Sequence, residues 1–139
     1  MIRHAERVFV DTGAWIALAE QKDPCHPRAA EHWRLLQGAG ARLFCSVPVM
    51  LETFTFLDRR GSRELALRWK RGLKALPFLR VLECTRHELD AATPFLEKKE
   101  FRRLSLVDAT SFVLMHKHRL HVAFTFDTHF SLAGFRCEA

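Results

Sequence analysis

The stretch Arg7-Val8-Phe9-Val10-Asp11 decides how the rest of the chain is interpreted. Its three middle residues form a continuous apolar run, which is typical of a strand buried on both faces of a parallel sheet. The run ends at Asp11, and a carboxylate is costly to bury unless it is paired, hydrogen-bonded or bound to a metal. The stretch therefore predicts a central strand with a candidate functional residue at its carboxyl end.

Short apolar runs of the same kind recur along the chain and alternate with longer helical patterns. The predicted strands cover 7–11, 42–46, 79–83 and 122–126, with a short last one at 135–137. The predicted helices cover 13–19, 27–37, 48–60, 62–76, 88–99 and 105–118, with Thr12 as the N-cap of the first. Strands joined by helices imply right-handed crossovers and a parallel sheet covered on both faces. We therefore predict an α/β fold: a three-layer α/β/α sandwich with a central parallel sheet of four to five strands.

Length and composition fit one ordinary globular domain spanning residues 1–139. Of the 139 residues, 48% are hydrophobic and 27% are charged, which is close to average usage. No apolar run reaches the roughly 18 residues that a bilayer crossing requires, and the first residues contain no apolar signal segment. We therefore expect a cytoplasmic protein that has no membrane partner.

Positive charge is concentrated in one segment. The net charge is +6, and residues 59–74 hold seven basic residues against one acid, Glu64, which accounts for the whole excess. A local basic face attracts polyanions, nucleic acid first, although a solvated helix face gives the same pattern. Arg68 and Arg71 in this segment are candidate phosphate contacts. Arg102 and Arg103 are candidates as well, and their alternative interpretation is that they are exposed loop charges.

Two acids end predicted strands. Asp11 follows the first strand, and Asp127 follows the apolar run that ends the fourth. Because the carboxyl ends of parallel strands meet at one edge of a sheet, both side chains should lie at that edge. Taken singly, each of the two is equally explained as an ordinary acid at a strand end or in a turn.

Two further acids lie on predicted helices. Helical spacing places Glu52 on a face with Val49 and Phe56, and Asp108 on a face with Phe112. Both faces are expected to point inward. The ordinary explanations are a surface ion pair for Glu52 and, for Asp108, the third position of a capping box that begins at Ser105.

Taken together, the four acids favour a metal site. Like charges within a few ångströms cannot all stay ionised without a cation. A ligand set made of oxygen alone suits Mg²⁺ or Mn²⁺ rather than zinc. Such a cluster supports metal-assisted attack of water on a phosphodiester.

The same motifs, in this order, resemble the PIN domain. They are Asp11-Thr12-Gly13-Ala14-Trp15, Glu52, Asp108-Ala109-Thr110-Ser111-Phe112 and Thr125-Phe126-Asp127-Thr128-His129-Phe130. More narrowly, the chain is similar to the toxin nucleases of VapBC-type toxin–antitoxin pairs. The resemblance implies a Mg²⁺- or Mn²⁺-dependent endoribonuclease that uses Asp11, Glu52, Asp108 and Asp127 as catalytic and metal-binding residues. It also implies an RNA substrate, a small antitoxin partner and assembly as a homodimer.

Two other functions remain open: an RNA-processing PIN nuclease without an antitoxin, and a nucleic-acid-binding or scaffold module that does not cleave. A binding module has no reason to retain four mutually repelling acids, which argues against the second. Thr12 is interpreted both as a helix cap and as a hydroxyl that contacts a metal ligand or phosphate. Trp15, Leu18 and Phe56 are either core residues or part of a groove that accepts a partner helix.

Overall fold

A computed structural model describes residues 5–139; residues 1–4, which begin the segment expected to lack a signal sequence, lie outside the described residues. The strands are β1 Arg7–Val10, β2 Arg42–Ser46, β3 Leu79–Leu82, β4 Val122–Phe124 and β5 Arg136–Glu138. The helices are α1 Thr12–Ala19, α2 His26–Gly38, α3 Val47–Phe56, α4 Arg63–Leu73, α5 Arg86–Leu96, α6 Leu106–Lys117 and α7 His129–Leu132. A π-helical turn, Leu57–Gly61, follows α3, and a 3₁₀ turn, Lys99–Phe101, precedes α6.

The five strands form one parallel sheet in the order β3-β2-β1-β4-β5. From β1 the chain builds outward to β2 and β3, and then crosses to the other side of β1 to add β4 and β5. Right-handed crossovers in the two directions place their helices on opposite faces of the sheet. The predicted α/β/α sandwich is confirmed, and the strand order reverses between β1 and β4. Ligands of such sheets bind at this reversal, outside the carboxyl ends of the strands.

The core is packed around the central strand. All of Val8, Phe9 and Val10 are fully buried, and burying a side chain of this size contributes about 1.5–3 kcal/mol. On α6, Phe112 is fully buried, and its ring lies edge-on to that of Phe130 with a centroid separation of 4.9 Å. This packing fixes the positions of β1 and α6, the two elements that carry Asp11 and Asp108.

The predicted cap of α1 was wrong by one residue. The N-cap is Asp11, with extended backbone angles, and Thr12 is the first helical residue. The backbone carbonyl of Asp11 accepts the N–H groups of Ala14 and Trp15, both at 3.1 Å. Its side chain makes no capping bond, because that carboxylate points to β4 instead.

Several predicted boundaries also differ, and two of them lie close to the acids. Strand β4 ends at Phe124 rather than at residue 126 because the N–H of Asp127 donates to the Thr125 hydroxyl at 3.0 Å instead of continuing the sheet. The helix predicted over 48–60 is α-helical only to Phe56 and then widens into the π-helical turn. In residues 5–139, no helix combines the length and the apolarity needed to cross a membrane.

Candidate active site

All four predicted acids line one pocket of about 680 Å³ at the carboxyl ends of β1 and β4. Asp11 follows β1 directly, and Asp127 lies in the loop after β4. Glu52 comes from the middle of α3, and Asp108 from the first turn of α6. The fold therefore brings together four acids that are separated by up to 116 residues in the sequence.

Asp11 lies deepest in this acidic pocket, with only 3% of its surface exposed. Its Oδ2 accepts a hydrogen bond from the Thr125 hydroxyl at 2.9 Å, whereas its Oδ1 is buried without a hydrogen-bond partner. Burial raises the pKa of Asp11 to about 8, and the negative charge of Asp108 contributes the next largest increase. The hydrogen bond from Thr125 lowers this pKa but does not offset the increase. A buried carboxylate that has an unpartnered oxygen and a raised pKa is suited to bind a cation.

Asp108 is held at the start of α6. Its N–H donates to the Ser105 hydroxyl at 3.0 Å, so the predicted N-cap is confirmed. Burial, followed by the charge of Asp127, raises the pKa of Asp108 to about 7, and Glu52 adds to the effect. Capping thus explains where the residue lies, but it does not explain why three acids face one another.

Thr125 links the two strand ends and was not assigned a role by the sequence analysis. Its hydroxyl donates to Asp11 and accepts the N–H of Asp127. Asp127 Oδ1 in turn accepts the N–H of His129 at 2.9 Å and lies 2.8 Å from Nδ1 of the same residue. These contacts orient two of the acids, and the only sequence signal for them was the position of Thr125 two residues before Asp127.

Glu52 is half-buried, and its helical face was predicted incorrectly. Val49 on that face is fully buried, but Phe56 is 41% exposed. The face runs from the core to the pocket wall, where both Glu52 and Phe56 contribute to the lining. It therefore serves the pocket rather than the interior of the protein.

The chemistry of the pocket fits a hard divalent cation. Its acidic donors are all oxygens, the set that Mg²⁺ and Mn²⁺ prefer. Asp11 Oδ1 and the Thr12 hydroxyl are both buried without a partner. As the side chains stand, no three His, Cys, Asp or Glu residues within residues 5–139 form a group that could hold a metal ion. The hydrogen bonds from Thr125 and His129 hold two of the carboxylates in their present positions.

Glu88 is a buried acid with a structural role, and it provides a comparison for Asp11 and Asp108. It is 3% exposed, lies 3.2 Å from the Lys117 ammonium, and completes a capping box with Thr85 at the start of α5. The Thr85 hydrogen bond, together with that of Lys117, lowers the pKa of Glu88 to about 2 despite burial. In the described part of the chain, Asp11 and Asp108 have no such cationic partner, and their pKa values shift in the opposite direction.

The arginines predicted to bind phosphate do not line the acidic pocket. Arg71, Arg102 and Arg103 are exposed elsewhere on the surface. Arg68 lies beside a separate groove, which we call the tryptophan groove and which is lined by Trp15, Leu18, Ala19, Ala30, Trp33, Leu65, Arg68, Trp69, Gly72, Leu73 and Leu76. The basic segment 59–74 is thus split between the π-helical turn and α4, and only its first part approaches the acids.

The tryptophan groove is built from α1, α2 and α4. The ring of Trp15 lies 5.7 Å from that of Trp33 and 6.0 Å from that of Trp69, measured between centroids. The indole N–H of Trp69 is buried without a hydrogen-bond partner. Of the three residues interpreted as either core or groove, Trp15 is buried in the core at the base of this groove, Leu18 lines the groove, and Phe56 lies at the acidic pocket.

The family model of the PIN domain matches residues 8–136. The chain belongs to the PIN domain family. It is 34% identical, over 128 residues, to the 23S rRNA-specific endonuclease VapC20 of Mycobacterium tuberculosis, and the match covers 92% of this chain and 95% of the relative. It is therefore a homologue of a VapC endonuclease.

Solved structures confirm the PIN fold. The crystal structure of Mycobacterium tuberculosis VapC20, described as a sarcin–ricin loop-cleaving toxin, superposes with a TM-score of 0.79 at 32% identity, covering 92% of this chain and 95% of that one. VapBC2 from Rickettsia felis, bound to a promoter DNA fragment, superposes with a TM-score of 0.68. Its identity is 12%, with 95% of this chain and 97% of that chain covered, so it supports the fold alone.

Proposed function

We propose that this PIN domain is a Mg²⁺- or Mn²⁺-dependent endoribonuclease and the toxin of a type II toxin–antitoxin pair, acting in the cytoplasm. The observation that carries the proposal is the buried Asp11 carboxylate, which lies among three other acids and, within residues 5–139, has one unpartnered oxygen and no cationic partner. Such an arrangement destabilises the fold unless it binds something positive. The homology to a VapC endonuclease supports the same function.

Asp11, Glu52, Asp108 and Asp127 would hold the metal. When bound, the ion supplies a water of lowered pKa and neutralises charge that develops on the phosphodiester. Thr125 orients Asp11 and Asp127 through its two hydrogen bonds. The Thr12 hydroxyl, in the first turn of α1, lines the pocket where a phosphate oxygen would approach the helix N-terminus.

The proposed substrate is RNA, with 23S ribosomal RNA as the first candidate. Its support is the relative that covers 92% of the chain and is a 23S rRNA-specific endonuclease. Purified protein should cleave 23S rRNA in Mg²⁺ or Mn²⁺, lose cleavage in excess EDTA, and regain it when the metal is restored. Gel analysis of the RNA measures all three states, with a DNA of the same sequence as the control substrate. Undiminished cleavage in EDTA would contradict the metal requirement.

We propose that the antitoxin occupies the tryptophan groove. Trp33 and Trp69 of the groove are partly exposed, and its wall carries Arg68 of α4. Apolar surface beside a positive charge fits an amphipathic helix whose polar face is acidic.

We propose that a second copy of the chain covers the apolar part of a groove of about 1020 Å³ between α3, α5 and α6, away from the edge that this groove shares with the acidic pocket. Its lining includes Leu51, Leu89 and Leu106, which are 65%, 39% and 40% exposed. Clustered exposed apolar residues of this kind mark an interface. Glu52, Phe56 and Arg60 also line the groove but stay outside the proposed interface, because Glu52 and Phe56 belong to the acidic pocket as well.

Leu51→Glu should convert the homodimer to a monomer because it places a charge in this apolar interface. Light scattering coupled to size-exclusion chromatography measures the mass. Leu132→Glu is the matched control, since Leu132 is 61% exposed and does not line the groove. A wild-type protein that is monomeric throughout the micromolar range would contradict the proposal.

A further inference from the structure

Two arginines stand over aromatic rings of the acidic pocket. The guanidinium carbon of Arg28 lies 5.2 Å from the ring centre of Phe126, and that of Arg60 lies 5.9 Å from the ring centre of Phe56. Both rings belong to the pocket lining, together with the four acids. A cation over a ring face within about 6 Å is attracted by the ring quadrupole. Neither arginine lines the acidic pocket itself, and Arg60 lines the neighbouring groove together with Glu52, so each ring places a positive group one side chain away from the pocket.

The two pairs come from different parts of the chain. Arg28 lies in the first turn of α2, and Phe126 in the loop between β4 and α7. Arg60 lies in the π-helical turn, one helical turn after Phe56. Two unrelated local structures thus produce the same arrangement at one pocket, and π-helical turns of this kind are frequent at functional sites.

Neither guanidinium has an acidic partner within residues 5–139. Other exposed arginines do: Arg34 pairs with Glu31 at 2.7 Å, and Arg63 pairs with Asp58 at 2.5 Å. For Arg28 and Arg60 the ring contact is the one interaction that the described structure gives them. Because a ring engages only the face of the guanidinium plane, its N–H edge stays available to a planar or tetrahedral anion.

A nucleic acid substrate needs such groups at this place. Four acids repel a phosphate backbone, and cations beside the pocket offset that repulsion. An arginine held over a ring is also partly ordered before binding, which lowers the entropy lost when it contacts a ligand. We propose that Arg28 and Arg60 bind backbone phosphates of the RNA next to the phosphodiester that is cut. This inference rests on the proposed function and assigns the role to residues other than the four arginines expected from the sequence.

The test measures binding separately from cleavage. Fluorescence anisotropy of a fluorescein-labelled single-stranded RNA oligonucleotide is recorded in EDTA at several salt concentrations. Each phosphate contact in a single strand contributes about 0.7 to the slope of log affinity against log salt. Arg28→Ala and Arg60→Ala should each weaken binding and reduce that slope by about 0.7, and the double variant should reduce it by about 1.4.

Arg42→Ala is the matched control. Arg42 is exposed and begins β2, so it lies at the opposite edge of the sheet from the acidic pocket. This variant should keep both the affinity and the slope of the wild type. Phe126→Leu adds a second readout, because it removes the ring without changing the charge. It should weaken RNA binding while leaving the salt slope unchanged, and circular dichroism verifies that each variant is folded.

The inference is overturned if Arg28→Ala and Arg60→Ala match Arg42→Ala in slope and affinity. It is equally overturned if they leave RNA binding intact and change only the oligomeric state, since the two residues would then serve a protein contact. Reduced slopes in a protein that never cleaves RNA in Mg²⁺ or Mn²⁺ would support the arginine contacts and contradict the nuclease proposal. Cleavage by the wild type together with unchanged salt slopes in the variants would support the nuclease proposal and contradict the arginine contacts.

Discussion

Asp11→Asn should abolish RNA cleavage and at the same time make the metal-free protein more stable. Mutating even an outer-shell partner of a metal ligand costs about 10–100-fold in metal affinity or activity, so the loss of a carboxylate ligand should exceed this. Above about pH 8, where the Asp11 carboxyl is ionised, the same change also removes a buried charge that faces Asp108 and Asp127. Relieving about 1 kcal/mol of such repulsion raises the melting temperature by roughly 3–5 °C in a domain of this size.

The stability gain should depend on pH in a defined direction. The pKa of Asp11 is about 8 in the folded protein and about 3.9 in an unfolded chain. Between these values the folded state binds the proton more tightly, so the stability of the wild type in EDTA falls as pH rises from about 4 to about 8. Below that window Asp11 is protonated in both states and contributes no pH dependence.

Melting temperatures in EDTA at pH 5 and pH 8 measure this effect. Asp11→Asn should lose less stability between the two values than the wild type does, and Asp108, whose pKa is also raised, should account for part of the remaining slope. Asp90→Asn is the control, because Asp90 is an exposed acid on α5 that lies 3.7 Å from Arg86. A destabilised Asp11→Asn protein at pH 8 would show that the carboxylate supports the fold rather than a ligand.

The sequence predicted the placement of the acids because their positions follow from backbone periodicity. Asp11 ends an apolar run, and parallel strands bring their carboxyl ends to one edge, so its meeting with Asp127 required only the correct strand order. Asp108 followed from helical spacing and from the Ser105 cap, both local properties. The alternation of strands with helices predicted a parallel sheet, but the strand order β3-β2-β1-β4-β5 was not predicted, because right-handed crossovers are compatible with several orders.

The contacts that tune the pocket were not predictable in this way because they join distant residues through side chains. Thr125 contacts Asp11 across 114 residues, and no periodicity encodes that pair. The contact of Arg28 with Phe126 depends on how the start of α2 packs beside the loop after β4. Charge counting drew attention to Arg68 and Arg71 instead, since a dense basic run is visible in the sequence whereas an isolated arginine over a ring is not.

Induction of the wild-type protein in a bacterial host should arrest growth, and Asp108→Asn should not. The reason is that a free endoribonuclease with an open acidic pocket degrades RNA that the host needs, and the variant removes one acid that faces Asp127 and Glu52. Growth curves and plating efficiency after induction measure the effect, with protein levels matched by immunoblot. If the wild type is harmless to a host whose RNA it cleaves in vitro, the RNA-processing alternative replaces the toxin proposal.

Co-expression with the cognate antitoxin, sought as a small protein encoded beside this gene, should restore growth. The tryptophan groove then makes a sharper prediction. Leu18→Glu places a negative charge on a groove proposed to bind an acidic helix, so this variant should stay active as a nuclease and remain toxic despite the partner. Leu132→Glu, which alters an exposed leucine outside the groove, should still be neutralised. Neutralisation of both variants alike would place the antitoxin on another surface, because a buried glutamate in a matched apolar interface is not tolerated without a cationic partner.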